Sequence, residues 1–93
     1  MKLVGKHILS NFIKKHKDAS AWINNWKSDV ENAKWEGPQD IKLRYRSASF
    51  LADRVVIFNV KGNTYRLEIQ VSYKSEIVFV KWAGTHAEYD KRY

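Results

Sequence analysis

Six side chains in the second half of this 93-residue chain are of types that could break a phosphodiester without a metal: Lys61, Asn63, Arg66, Lys81, His86 and Tyr89. Cleavage of RNA in that way needs three things. A base takes the proton of the 2′-hydroxyl, cations hold the in-line phosphate, and an acid protonates the leaving 5′-oxygen. The 2′-hydroxyl is the internal nucleophile, so the substrate is RNA rather than DNA. Histidine suits base or acid, its unperturbed pKa lying at about 6.5. Tyr89, a phenol of pKa about 10, suits an acid or an orienting group. Arg66 can grip two phosphate oxygens at once, whereas Lys81 offers a point charge. Singly, each residue has an ordinary structural reading. Arg66 is an outward strand residue with Glu68 and Glu76 available as partners, Lys61 and Asn63 are turn residues, and Tyr89 can pack on Trp82. Their company in one basic chain is what argues for a site.

Other chemistries find no support. The four glycines, at 5, 37, 62 and 84, are too scattered for a phosphate loop, and no serine sits in a nucleophile elbow. The histidines at 7, 16 and 86 lack a metal-ligand spacing, and there is no cysteine, so neither a metal nor a cofactor is expected. Seventeen Lys plus Arg oppose ten Asp plus Glu, a net charge of +7, with ten basic and five acidic residues after position 40. Such a balance fits a polyanionic partner, nucleic acid above all, and a merely solvated lysine-rich surface about equally well. Lys6 and His7 interrupt the first apolar run, and no apolar stretch approaches the roughly 18 residues that span a bilayer. The expectation is one soluble, cytoplasmic domain over residues 1–93, with no membrane partner and a thin core.

The elements that must carry these residues follow from periodicity. Lys2-Leu-Val suits a short strand, and Leu9, Phe12, Ile13 and His16 recur at helical spacing. Asp18 and Ser20 offer N-cap oxygens to a second helix whose apolar stripe is Trp22, Ile23, Trp26, Val30 and Ala33. Gly37-Pro38 is the strongest break, dividing a helical first part from a sheet-forming second. Val55 to Val60 reads as a buried strand, and Lys61-Gly62-Asn63 as a tight turn using the tolerance of Gly and Asn for positive φ. From Thr64 to Tyr73 the alternation is clean, with Tyr65, Leu67, Ile69 and Val71 on one face and Arg66, Glu68 and Gln70 on the other. Ile77 to Trp82 completes an antiparallel meander. Two helices cover one face, and the face of Arg66 is left towards solvent or a ligand. Thr85 and Glu88 have capping-box spacing, and a helical turn there brings His86, Tyr89 and Asp90 together.

Three runs also carry a resemblance: Trp35-Glu-Gly-Pro-Gln-Asp-Ile-Lys, Phe58-Asn-Val-Lys-Gly-Asn-Thr-Tyr-Arg-Leu and Trp82-Ala-Gly-Thr-His-Ala-Glu-Tyr-Asp-Lys. Together they make the chain resemble the HigB-type toxins of bacterial type II toxin–antitoxin modules, over nearly its whole length. The resemblance implies an α+β, RelE-like fold of order β-α-α-β-β-β, an antiparallel sheet covered on one face by two N-terminal helices. It implies a metal-independent mRNA endonuclease, acting on ribosome-bound message and inhibiting translation. It further implies silencing by a cognate antitoxin, a DNA-binding protein of HigA type. Arg66, His86 and Tyr89 match the family's motif positions, Lys61 and Asn63 its turn, and Lys81 a basic position in the last strand. The catalytic set so implied is Arg66, His86, Tyr89 and Lys81, with Lys61 and Asn63 on the RNA. Two other readings compete with it. One is a non-catalytic RNA- or ribosome-binding module on the same basic face, and the other a purely structural interaction domain.

Overall fold

A computed structural model describes residues 1–92, a mixed α+β architecture with a five-stranded sheet and four helices. Strand β1 (Lys2–Val4) is followed by helix α1 (Lys6–Lys15), a 3₁₀ turn (Lys17–Ala19) and helix α2 (Ser20–Asn32). Helix α3 (Pro38–Arg44) leads to a two-residue strand β2 (Ser49–Phe50) and a second 3₁₀ turn (Ala52–Arg54). Strands β3 (Val55–Val60), β4 (Tyr65–Ser72) and β5 (Ile77–Thr85) form the meander, and helix α4 (His86–Arg92) closes the described chain.

The strands lie in the order β1-β5-β4-β3-β2. The meander is antiparallel, but β1 runs parallel to β5, with Leu3 opposite Val78, so the sheet is mixed rather than wholly antiparallel. Parallel pairing requires the chain to cross over between the two strands, and α1 through β4 supply that crossover. Gly5 makes the first bend at φ +92°, and a Cβ there would stand 2.8 Å from the carbonyl oxygen of Val80. Glycine alone suits both constraints.

Leu9 and Phe12 of α1 and Ile23, Trp26 and Val30 of α2 pack onto Val56, Phe58, Leu67, Ile69, Val78 and Val80 of the sheet. Trp26 is wholly buried, its ring edge-on to Phe58 at 5.6 Å, while Trp22 is half-buried against Tyr45. The paired tryptophans are thus core residues. Asp18 and Ser20 do not cap α2. Asp18 instead accepts a hydrogen bond from Tyr65 Oη (2.7 Å) and an ion pair from Lys61 (3.3 Å), tying the β3–β4 hairpin to the helical layer. These contacts hold the Asp18 carboxyl below its usual range and raise the Tyr65 phenol.

The Gly37-Pro38 break begins an element rather than only ending one. Pro38 occupies the first position of α3, where its missing N–H costs nothing, and Ile41 anchors the helix in the core. The hairpin turn departs from expectation too. Its positive-φ residues are Lys61 (51°) and Gly62 (70°), which leaves the Asn63 side chain for another task.

Candidate functional site

The face of β4 opposite the helical core carries Arg66 and Glu68, the only charged side chains buried among the described residues. Sequence alternation points both outward, and so they are. The face is not open above them, however. Helix α4 folds back across it and reduces Arg66 to 7% exposure, which corrects the expectation of a solvent-facing guanidinium.

Two features of β5 make this possible. Val80 pairs with Ile69 and Trp82 with Glu68, so Lys81 is an extra residue, a β-bulge. The bulge resets the alternation, leaving Trp82 on the outer face with Glu68 and Arg66. Gly84, opposite Arg66, then provides the clearance, since a Cβ there would stand 2.5 Å from the Trp82 ring and 2.8 Å from Glu88 Oε1. Helix α4 starts with a reciprocal cap. Thr85 N–H donates to Glu88 Oε1 (2.8 Å) and Glu88 N–H donates to Thr85 Oγ1 (3.1 Å), which holds the Glu88 carboxyl below its usual range. His86 N–H donates to the carbonyl of Thr64 (3.1 Å), fixing the helix start against the hairpin turn.

The guanidinium is held by hydrogen bonds and faces an aromatic ring. Arg66 Nη1 donates to the carbonyls of Asn63 (3.2 Å) and Tyr65 (3.1 Å), and Nη2 donates to Asn63 Oδ1 (2.7 Å) and His86 Nδ1 (2.6 Å). The Tyr89 ring lies 5.7 Å from Arg66 Cζ. A guanidinium can only donate, so Nδ1 of His86 is the acceptor and the proton is assigned to Nε2, which faces Asp90 Oδ2 at 3.1 Å. The outcome is a relay Asn63–Arg66–His86–Asp90 with Tyr89 laid alongside.

Arg66, Asn63, His86 and Tyr89 are therefore brought together, and among the described residues no side-chain hydrogen bond or ion pair joins Lys61 or Lys81 to them. Lys61 turns towards Asp18, and exposed Lys81 lies over the Phe79 ring at 5.6 Å. Both stand at the margin, Lys61 in the turn that holds Asn63 and Lys81 beside Trp82. Sequence reasoning gives no role to the support beneath. The ion pair to Glu68 comes from Arg92 (2.8 Å), not from Arg66, and Arg92 also stacks over Trp82 at 4.7 Å. Spacing alone could not reveal that pair, because it depends on α4 lying back along the sheet. Among the described residues no group of three or more His, Asp or Glu side chains gathers where a metal ion could sit.

Residues 19–92 match the family model of the HigB toxin, described as the RelE-like toxic component of a toxin–antitoxin system. The chain belongs to the HigB-toxin family. The match runs from the end of the first 3₁₀ turn through α4 and so includes the whole Arg66 cluster, while β1 and α1 precede it. A search of curated proteins gave no match. Membership implies an antitoxin partner for this HigB-family chain. No helix among the described residues is long and apolar enough to cross a membrane.

Proposed function

We propose that this HigB-family protein is a metal-independent endoribonuclease that cuts mRNA, on ribosome-bound message, and so stops translation until its antitoxin restrains it. The observation that carries the reading is the 2.6 Å contact between the Arg66 guanidinium and His86 Nδ1, held from behind by Asn63 and Asp90. A phosphate oxygen is a better acceptor for an arginine N–H than a neutral imidazole is. An incoming phosphodiester therefore displaces His86 from Nη2, and the displacement frees Nδ1 beside the bound phosphate. Nδ1 takes the proton of the 2′-hydroxyl, the 2′-oxygen bonds to phosphorus, and the P–O5′ bond breaks. Tyr89 or the protonated imidazole returns a proton to the 5′-oxygen. The products are a 2′,3′-cyclic phosphate and a 5′-hydroxyl, and the charge that develops on phosphorus is met by Arg66, with Lys81 as a flanking point charge.

Primer extension on a defined message, with purified protein and with or without ribosomes, tests this. New 5′-hydroxyl ends are expected, and Arg66→Ala and His86→Gln should each slow their appearance by about 100-fold or more while circular dichroism stays unchanged. Intact message bound in a salt-sensitive complex would instead identify a non-catalytic RNA-binding module. Undiminished cutting by both folded variants would refute the assignment of these residues.

A further inference from the structure

A cavity of about 220 Å³ lies at the sheet edge next to the Arg66 cluster. It exists because β1 pairs with β5 only from Ile77 to Phe79, so that the later part of β5 has α1 rather than a strand beside it. Ile8, Phe12 and Ala83 give it an apolar lining, and its polar lining is Asn11, Lys15, His16 and Glu88. Gly84 also lines it, and Gly84 is the cross-strand neighbour of Arg66. The cavity and the guanidinium thus share one residue pair, and His86 follows two positions on.

Two opposite charges line this cavity without meeting, since no ion pair joins Lys15 to Glu88 among the described residues. Glu88 gives Oε1 to the Thr85 cap, while Oε2 is not part of that cap. The Thr85 hydrogen bonds, with smaller contributions from the nearby His16 and Lys15 charges, hold the carboxyl in its ionised form, an acceptor only.

Building on the endoribonuclease reading, we infer that this cavity receives one base of the RNA next to the scissile phosphate, and that the base is guanine. The apolar lining takes the ring face. Guanine presents two adjacent donors, N1–H and the 2-amino group, to the Glu88 carboxylate, and its O6 and N7 acceptors to Lys15 or the Asn11 amide. Adenine meets the carboxylate with one donor beside a ring acceptor, and the pyrimidines offer a single donor group with carbonyl or ring acceptors adjoining it. Guanine alone places two adjacent donors on the carboxylate while keeping two acceptors for the donor wall.

Two measurements on the full chain test this. In NMR titrations with each of the four nucleoside 5′-monophosphates, GMP should bind about tenfold more tightly than the others, with shifts at Asn11, Lys15 and Glu88. Lys15→Met and Glu88→Gln should erase the preference, the glutamine keeping the cap while replacing one acceptor with a donor. In cut-site maps on a mixed-sequence message, guanine should be enriched beside the wild-type cut, and whatever cutting Lys15→Met retains should lose that enrichment. Equal affinity for all four nucleotides, a preference for another base, or variants that keep the wild-type pattern would overturn the guanine pocket. Selective GMP binding with intact message would uphold the pocket and overturn the cleavage reading instead.

Discussion

Removing a guanidinium from water is tolerated only when its N–H groups find acceptors, because a buried charge without partners forfeits several kcal/mol of hydration. Arg66 meets that condition with two backbone carbonyls, an amide oxygen and an imidazole nitrogen. The arrangement uses the flat fork of arginine, in which two nitrogens reach different acceptors without turning the side chain. A lysine has the charge but one nitrogen, which cannot stay bonded to Asn63 and face two phosphate oxygens together. Arg66→Lys is therefore expected to cut RNA almost as poorly as Arg66→Ala, within about tenfold of it, despite the retained charge. Single-turnover primer extension on the two variants measures this. A lysine variant close to the wild-type rate would mean that a point charge suffices and that the fork geometry plays no part.

At the scale of elements, α4 is the piece that makes the site and the piece least able to stand alone. It has seven residues and buries none of them, so it depends on its cap and on polar contacts to the sheet. Thr85→Ala removes one cap hydrogen bond and should cost about 1 kcal/mol, paid locally. Hydrogen exchange in α4 should quicken and RNA cutting should fall several-fold, with the global melting temperature nearly unchanged because the core elements unfold as a separate, more stable unit. A large drop in melting temperature would show instead that α4 is integral to the core.

The same dependence explains what the sequence conceals. The alternation of β4 and the stripe of Trp26 and Val30 are driven by burial and can be read directly, as can the neighbourhood of His86, Tyr89 and Asp90, which follows from helical spacing. Helix α3 is masked because Pro38 serves equally as a breaker and as a first helical residue, and Ile41 is its one fully buried side chain. Strand β2 has two residues, too few to show a period. The burial of Arg66 needs the bulge at Lys81, the clearance at Gly84 and the return of α4, three tertiary facts with no local signature.

For the whole molecule the question is whether a net charge of +7 acts as a diffuse cloud or through placed contacts. Single-stranded RNA releases condensed counterions as its phosphates are neutralised, so the logarithm of affinity falls with the logarithm of salt at about −0.7 per phosphate contact. Arg66 with Lys61 and Lys81 at its margins gives three contacts and a slope of about −2. Lys74, exposed in the turn at the opposite end of β4 from Arg66, provides the control. If contacts are placed, Arg66→Ala should make the slope shallower by about 0.7 and Lys74→Ala should leave it unchanged. If the charge acts diffusely, the two variants should lose equal, small amounts. Anisotropy of a labelled RNA carrying 2′-deoxy sugars, which cannot be cut, reads the slopes from about 50 to 200 mM salt. Equal slopes for the two variants would detach RNA binding from the Arg66 cluster, and an unchanged cutting defect in Arg66→Ala would then have to come from the chemical step alone.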